Sequence, residues 1–428
     1  MLIEFSVGNY LSFKETVTLS MVATNVIAKN KSVDENNVFD VDEELSLLKS
    51  VAVYGANASG KSNLIKAMNF MRWFVLNSSK ETQIEDAINV DEFKLSTETE
   101  GKPSFFEIVF ILEDKLYRYG FEVDEKQVVS EWLFYVPKVR ESKLFERDKN
   151  GIKMSRVFKE GELISDKTRN NALFLSVNSQ FNGKISTSIL RWFIDDLNII
   201  SGLDSKFYQK ITVEYFQDSE YKNEIVQLIR KWDLGIDDIE IDTKEVLPEQ
   251  FPDFVSDEFR RRMIDAGMQI DEIQTFHKQY DSEGKMVSIV VFDLEENESE
   301  GTKKLFAFAI PILESLSNGE ILIIDELDAR LHPLITREII ELFNSNQTNP
   351  ENAQLIFTTH DTNLLSHKIF RRDQIWFTEK NRQGATDLYS LVEYKVRNDA
   401  SFESDYIKGR YGAIPFLGDL TELFEKNG

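Results

Sequence analysis

A chain of 428 residues with 50 basic and 74 acidic side chains, a formal net charge of −24, has room for one large α/β core with an insertion, or for two modest domains. Hydrophobic residues make up 42%, which supports a packed core and excludes a disordered chain. The acid excess argues against a protein that coats DNA through a broadly basic surface, and the absence of cysteine excludes disulfides, thiolate metal sites and cysteine nucleophiles.

In chain order, Leu2–Val7 alternates, turns at Gly8-Asn9 and meets a second apolar stretch around Val17–Val22, the pattern of a β-hairpin. Asn30–Asp42, rich in Asn and Asp, reads as a loop. Leu47–Tyr54 reads as a buried strand, broken at Gly55 and followed from Ser62 by a helix with Leu64, Met68 and Met71 on one face. Phe106–Ile111, Leu116–Val123 and Val128–Phe134 read as strands of an antiparallel sheet, with bends at Glu113-Asp114 and Asp124-Glu125. Ile185–Ile200 and Asn223–Leu234 are expected as amphipathic helices, and Gln274–Tyr280 with Lys285–Leu294 as a hairpin. After Gly301 the order helix, strand, helix, strand suggests parallel βαβ units. Two basic stretches, Arg260–Arg262 and Lys138–Lys149, are candidate patches, with a solvated face as the plainer reading. No stretch approaches the roughly 20 apolar residues of a membrane span. The N-terminus has no basic region followed by an apolar run, so a cytoplasmic protein is expected.

Gly55-Ala56-Asn57-Ala58-Ser59-Gly60-Lys61-Ser62 fits G-x-x-x-x-G-K-[ST] at every fixed position, between a predicted strand and a helix. The glycines let backbone N–H groups turn inward around a phosphate, and the helix N-terminus adds its dipole. Lys61 is expected to bridge the β- and γ-phosphates of ATP, and Ser62 to offer a hydroxyl to Mg²⁺. Ile321–Ile324 forms a second predicted buried strand that delivers Asp325 and Glu326 at its C-terminal end, where ligands bind in open α/β sheets. Asp325 is expected to hold Mg²⁺ through water, and Glu326 to orient or deprotonate the attacking water.

These motifs together resemble ATPases of the ABC type, including the SMC and recombination-repair branch. The resemblance implies that Ser299-Glu300-Gly301, 26 residues before Asp325 (325 − 299), is a signature element completing the opposite subunit's site. Ser299 and Gly301 would donate to the γ-phosphate held by the partner; an ordinary helix N-cap at Ser299 is the structural alternative. Glu300 stands where the family has a glycine, and no leucine precedes the serine. Leu327–Pro333 looks like the dimer-contacting loop of the SMC-like branch, and His360, after an apolar strand, like the switch histidine. Gln180 is the candidate for a glutamine linking nucleotide to fold.

With the opening Ile3–Phe13 and the ending Gly409–Pro415, the chain is further similar to the stand-alone ATPases of bacterial phage-defence loci, the AbiL/RloA-like group, with OLD and PARIS modules as relatives. The resemblance implies an α/β, ABC/SMC-type ATPase head with an antiparallel β-subdomain, a helical insertion and no long coiled coil. It divides the chain into an N-terminal lobe (1–200), a mostly helical insertion (201–270) and a C-terminal lobe (271–428). It also implies a homodimer or higher oligomer with composite ATP sites, responding to a phage-derived trigger. Only 68 residues follow His360 (428 − 360), too few for a fused Toprim-like nuclease of about 100 residues, so a separate effector protein is expected. The alternative is a DNA-repair ATPase that binds nucleic acid directly.

Overall fold

The computed structural model describes the chain apart from residues 82, 138–139, 204–205, 218, 233–234, 246–268, 397–399 and 416–428. The Arg260–Arg262 run, and Lys138 of the other basic stretch, lie outside the described residues. Two compact units are present: Met1–Ser201 with Ser315–Ala329 and Thr336–Gly428, and Gly202–Glu314 with Arg330–Ile335.

The first unit opens with β1 (Leu2–Gly8) and β2 (Val17–Ser20), then α1 (Lys31–Asn37), β3 (Val38–Asp40), β4 (Ser46–Leu48), β5 (Ser50–Tyr54) and α2 (Lys61–Asn77). A meander follows: β6 (Ser104–Leu112), β7 (Lys115–Val123), β8 (Val128–Val136), β9 (Ser142–Asp148) and β10 (Gly151–Met154). These strands build an antiparallel sheet in the order β10-β9-β8-β7-β6-β1-β2. Its apolar positions alternate, so Phe106, Ile108 and Phe110 turn inward from β6 while Phe105 and Glu107 turn out.

The second sheet gathers strands far apart in sequence. After α3 (Phe174–Gln180) and α4 (Lys184–Arg191), β11 (Leu197–Ser201) lies beside β15 (Ile321–Asp325). Then come α9 (Pro333–Asn344), β16 (Gln354–Thr358), β17 (Ile375–Lys380), β18 (Thr386–Ser390) and α10 (Phe402–Ile407). The order is β11-β15-β16-β5-β17-β18, with only β18 antiparallel to its neighbour. Every residue of β5 and β16 is buried, which is why both read as unbroken apolar runs rather than alternating ones. Helix α2 fills the space between the sheets. Leu64, Met68 and Met71 on one side, and Phe74 against Phe121 at 5.5 Å, join Phe5, Val51 and Ile323 in one core. Each such side chain contributes roughly 1.5–3 kcal/mol by leaving water. The Gln354 amide also joins the sheets, accepting from Leu2 N (2.6 Å) and donating to Leu2 O (3.0 Å).

Two sequence expectations fail here. Asn30–Asp42 is not a loop: the Asn30 side chain caps α1, and buried Asn37 donates to Ile369 O and Gln374 Oε1 at 2.8 Å. Asn30 and Asn37 serve as cap and brace, while Asp42 alone forms a turn, its Oδ1 accepting from Glu44 N and Leu45 N at 2.8 Å. Ile185–Ile200 is not one helix either. Helix α4 ends at Arg191, a π-helical turn covers Trp192–Asp196, and the chain becomes β11. The spacing of Ile185, Ile189, Phe193 and Leu197 imitates a continuing helical face, but Leu197–Ser201 pairs in parallel with Ile321–Asp325.

The second unit contains α5 (Lys206–Phe216), α6 (Ser219–Lys231), β12 (Ile236–Glu245), β13 (Gln269–Tyr280), β14 (Met286–Asp293), α7 (Leu294–Asn297) and most of α8 (Glu300–Asn318). Within 201–270, expected as mostly helical, the described residues therefore include a strand. Ile236 and Ile239, three positions apart, would face opposite ways on a regular strand, but a bulge between Ile236 and Asp238 leaves both buried. They pack with Phe216, Ile229 and Phe306 in a core of their own. Pro311 inside α8 lacks the N–H that would reach the Ala307 carbonyl; the buried Thr212 hydroxyl donates to that oxygen instead, at 3.2 Å. The longest described helix, α8, has 19 residues, so the described chain contains no long coiled coil. No helix among the described residues is long and apolar enough to cross a membrane.

Candidate nucleotide site

The loop Gly55–Gly60 leaves β5 and enters α2, as the motif requires. Gly60 has φ +121°, and a Cβ there would fall 2.5 Å from Thr386 Oγ1, so conformation and crowding both demand glycine. Ala58 is held at φ +60°. The loop is braced from behind. Ser59 Oγ and Thr378 Oγ1 share a 2.6 Å hydrogen bond, and Thr386 Oγ1 lies 2.8 Å from both Ser59 O and Ser12 Oγ. Ser12 also accepts from Asn63 Nδ2 at 2.8 Å. Ser12 of the opening segment thus supports the P-loop, a role its sequence did not announce.

Lys61, only 5% exposed, folds back onto its own loop, donating to Gly55 O (2.8 Å) and Ala56 O (3.2 Å). Burial lowers its pKa to about 8, against the upward pull of Asp325, Glu326 and Asp328. Ser62 Oγ donates to Asp325 Oδ1 at 3.2 Å. The same carboxylate oxygen receives the Thr358 hydroxyl at 2.6 Å, and Thr358 Oγ1 accepts from Glu326 N at 2.7 Å. Thr358 therefore fixes both acids from the end of the neighbouring strand. It was visible in sequence as the first residue of Thr358-Thr359-His360, but nothing there assigned it this work. Glu326 has φ +56°, an uncommon conformation for a β-unbranched acid and one that turns the chain sharply after β15.

His360 follows β16. Its backbone N lies 3.3 and 3.4 Å from the two Asp328 carboxylate oxygens, and burial followed by the charge of Lys61 lowers its pKa. Asn57–Asn63, Glu326, His360 and Lys380 line a cleft of ≈ 580 Å³. The structure thus gathers the predicted Asn57–Ser62, Glu326 and His360 around one cleft; Gly55 and Ala56 do not line it, and Asp325 is bonded to Ser62. Lys380 is an addition that sequence reasoning missed. Gln180 lies exposed at the end of α3 and does not line the cleft.

Ser299 and Gly301 belong to the second unit, at the start of α8. Ser299 Oγ accepts from Thr302 N (3.1 Å), so it is the N-cap of that helix. A Cβ on Gly301 would fall 2.7 Å from Arg330 O. Glu300 pairs with Lys303 (3.1 Å) and Arg330 (2.6 Å); Lys303 first and Arg330 after it hold its carboxyl below the usual range. In the same unit His332 Nδ1 accepts from Leu334 N at 3.2 Å.

A strand–loop–helix phosphate cradle, an acidic strand separated from the P-loop strand by β16, and an antiparallel sheet packed against α2 define a P-loop ATPase fold. The model of the family described as "AAA domain, putative AbiEii toxin, Type IV TA system" matches residues 50–366, and the chain belongs to that family. No curated protein sequence matches the chain. Among solved structures, the Smc head domain with coiled coil and joint from Pyrococcus yayanosii is 11% identical. It covers 96% of this chain and 99% of its own, with a TM-score of 0.41. Two structures of the recombination mediator RecF of the RecFOR pathway, one titled with ATP and one with ATPrS, are 12% and 14% identical. Each covers 91% of this chain, with 99% and 98% of its own length and TM-scores of 0.33 and 0.34.

Proposed function

We propose that this ATPase is a nucleotide-gated switch subunit of an anti-phage defence system, working as a homodimer and controlling a separate effector protein. The observation that carries the catalytic part is the convergence of Lys61, Ser62, Asp325, Glu326 and His360 on one cleft. Among the described residues no group of three or more His, Cys, Asp or Glu could hold a metal ion. Ser62 and Asp325 instead supply one hydroxyl and one carboxylate, a donor set that suits Mg²⁺ when nucleotide and water oxygens complete the shell. Lys61 moves from the loop carbonyls to the β- and γ-phosphates. Glu326 orients the attacking water, and His360 stabilises charge on the γ-phosphate.

The homodimer reading is supported by the start of α8. Ser299 caps a 19-residue helix whose first N–H groups suit an anion, as a composite site requires. Nucleotide would then control the effector through its different affinity for the open and closed pair, since a ligand with equal affinity for both shifts nothing. The family title names a putative toxin of a toxin–antitoxin system, which offers a second reading in which this chain itself harms the cell.

One experiment separates them: expression of the chain alone and with the product of the adjacent gene, wild type and Glu326→Gln, with growth scored under phage challenge. Protection that needs both genes and fails in the variant is expected. Toxicity of the chain alone would sink the switch reading, and salt-sensitive DNA binding by the purified protein would favour a repair ATPase.

A further inference from the structure

The sheet of the second unit has two unlike edges, β12 and β14, on either side of β13. Strand β12 carries Asp237, Asp238, Glu240, Asp242, Lys244 and Glu245. Such charges keep other chains from adding to an edge, because a pairing strand would have to strip them of water. Strand β14 has no such guard. From Met286 to Phe292 it is uncharged, and Met286, Val287, Ile289, Val291 and Phe292 are 38–56% exposed. Among the described residues no strand pairs with its outer side, so a row of backbone N–H and C=O groups is open there. We propose that β14 is a self-association edge, at which two copies of this chain pair their β14 strands antiparallel about a two-fold axis, without nucleotide.

The choice of a second copy rests on the charges at the two ends of the strand. Exposed Lys285 stands just before β14 and Asp293 closes it, with no charged residue between them. Read backwards, this pattern is complementary to itself. Antiparallel pairing brings each Lys285 to the Asp293 end of the other copy, whereas parallel pairing sets like charge beside like. A bulge at Val287, opposite Gln279 and Tyr280, leaves Ser288–Phe292 as the regular stretch. Pairing there gives one continuous sheet whose outer edges are both β12, the guarded ones. The association therefore covers the open edges and stops at two copies.

The pairing needs neither Lys61 nor Ser299, so it does not rest on the nucleotide-held homodimer and adds a second interface to it. An interface built on so few residues belongs with weak, reversible contacts, with a Kd of roughly 1–100 μM. Below that range only the nucleotide-held pair would form.

The test is sedimentation velocity of the full chain without nucleotide, from about 1 to 200 μM, a span that brackets this Kd. Wild type should pass from monomer to dimer. Ile289→Lys, which sets two like charges near the axis, should raise the Kd at least about tenfold. Lys285→Glu, an exposed change that leaves the core untouched, should raise it about tenfold by turning both end pairs repulsive. Because the chain has no cysteine, Ile289→Cys supplies its only thiol. Opposite and diagonal neighbours on paired strands lie within about 8 Å, so a short bis-maleimide should join two such chains. Thr243→Cys on β12 should not be joined. A wild type that stays monomeric, a dimer that both substitutions leave unchanged, or equal cross-linking at 243 and 289 would overturn the proposal. A dimer seen only with ATP would overturn it too, while leaving the nucleotide-held pair standing.

Discussion

The P-loop cluster and the Ser299–Gly301 segment solve opposite problems with similar residues. Around the P-loop, polar groups are left facing a cleft: Lys61 rests on loop carbonyls, and Ser62 and Thr358 converge on one oxygen of Asp325. At the start of α8 the polar groups are satisfied at home. Ser299 caps its own helix, and Glu300 is paired with Lys303 and Arg330. The first is a site that a single chain displays. The second is a well-made helix end that would take a catalytic part only through a partner, and the difference can be tested from both sides.

The largest effect is expected at Lys61. Lys61→Ala removes the only P-loop side chain that can neutralise phosphate charge and should lower Mg²⁺-dependent phosphate release by at least about 100-fold. A folded variant with near wild-type turnover would place the chemistry elsewhere. Glu326→Gln should slow release by about 10²–10⁴-fold while ATP still binds, so the variant should accumulate as an ATP-held dimer in size-exclusion chromatography. An ATP-bound monomer in that experiment would break the composite-site half of the comparison.

Mixing sharpens it further. Lys61→Ala and Ser299→Arg chains, each inactive alone, should after equal mixing and exchange regain about a quarter of the wild-type rate, one site in each heterodimer, if the pair shares sites and the sites act independently. No recovery despite verified subunit exchange would confine Ser299 to its capping role, or show the two sites obligatorily coupled.

A smaller effect follows from the pKa of Lys61. Phosphate favours the charged form, whereas the empty site loses that charge as pH rises through about 8. Binding must therefore take up a proton above pH 8, and the Kd for ATP should rise by up to about tenfold per pH unit from there. Lys61→Arg, charged throughout, should bind with little pH dependence. Titrations in buffers of different ionisation enthalpy would reveal the proton directly.

The smallest effect belongs to Arg330. Its pair with Glu300 is exposed on both sides, and solvent screens such pairs until they add little to stability, so Arg330→Ala should leave the melting temperature almost unchanged. A clear loss of ATPase activity without a loss of stability would assign the loop after Glu326 a part in the closed pair.

How much of this the sequence showed depends on the kind of information each feature carries. The P-loop and Asp325-Glu326 were legible because phosphate and metal chemistry restrict residue identity at fixed spacing. The meander β6–β8 was legible because alternation is local. Strand β11 was not: its apolar residues continue the helical spacing of α4, and only pairing with a strand more than a hundred positions later makes it a strand. Strand β12 was hidden by a bulge that breaks the period on which strand recognition depends. Ser12 and Thr386 behind the P-loop were equally hidden, because a hydroxyl that braces a loop from 327 positions away leaves no periodic trace.

The placement of β5 has a consequence for synthesis. The antiparallel meander and β1 lie within the first 154 residues, so that sheet can close early on a growing chain. Both neighbours of β5 come late: β16 pairs from Leu355 and β17 from Ile375. At roughly 5–20 residues per second, the P-loop strand is made on the order of 15–60 s before its first partner. During that interval Val51–Tyr54 is an apolar segment with two open hydrogen-bonding edges. Nascent chains stalled before residue 355 should therefore be unable to retain nucleotide, and ribosome-associated chaperones should engage them most strongly in this window.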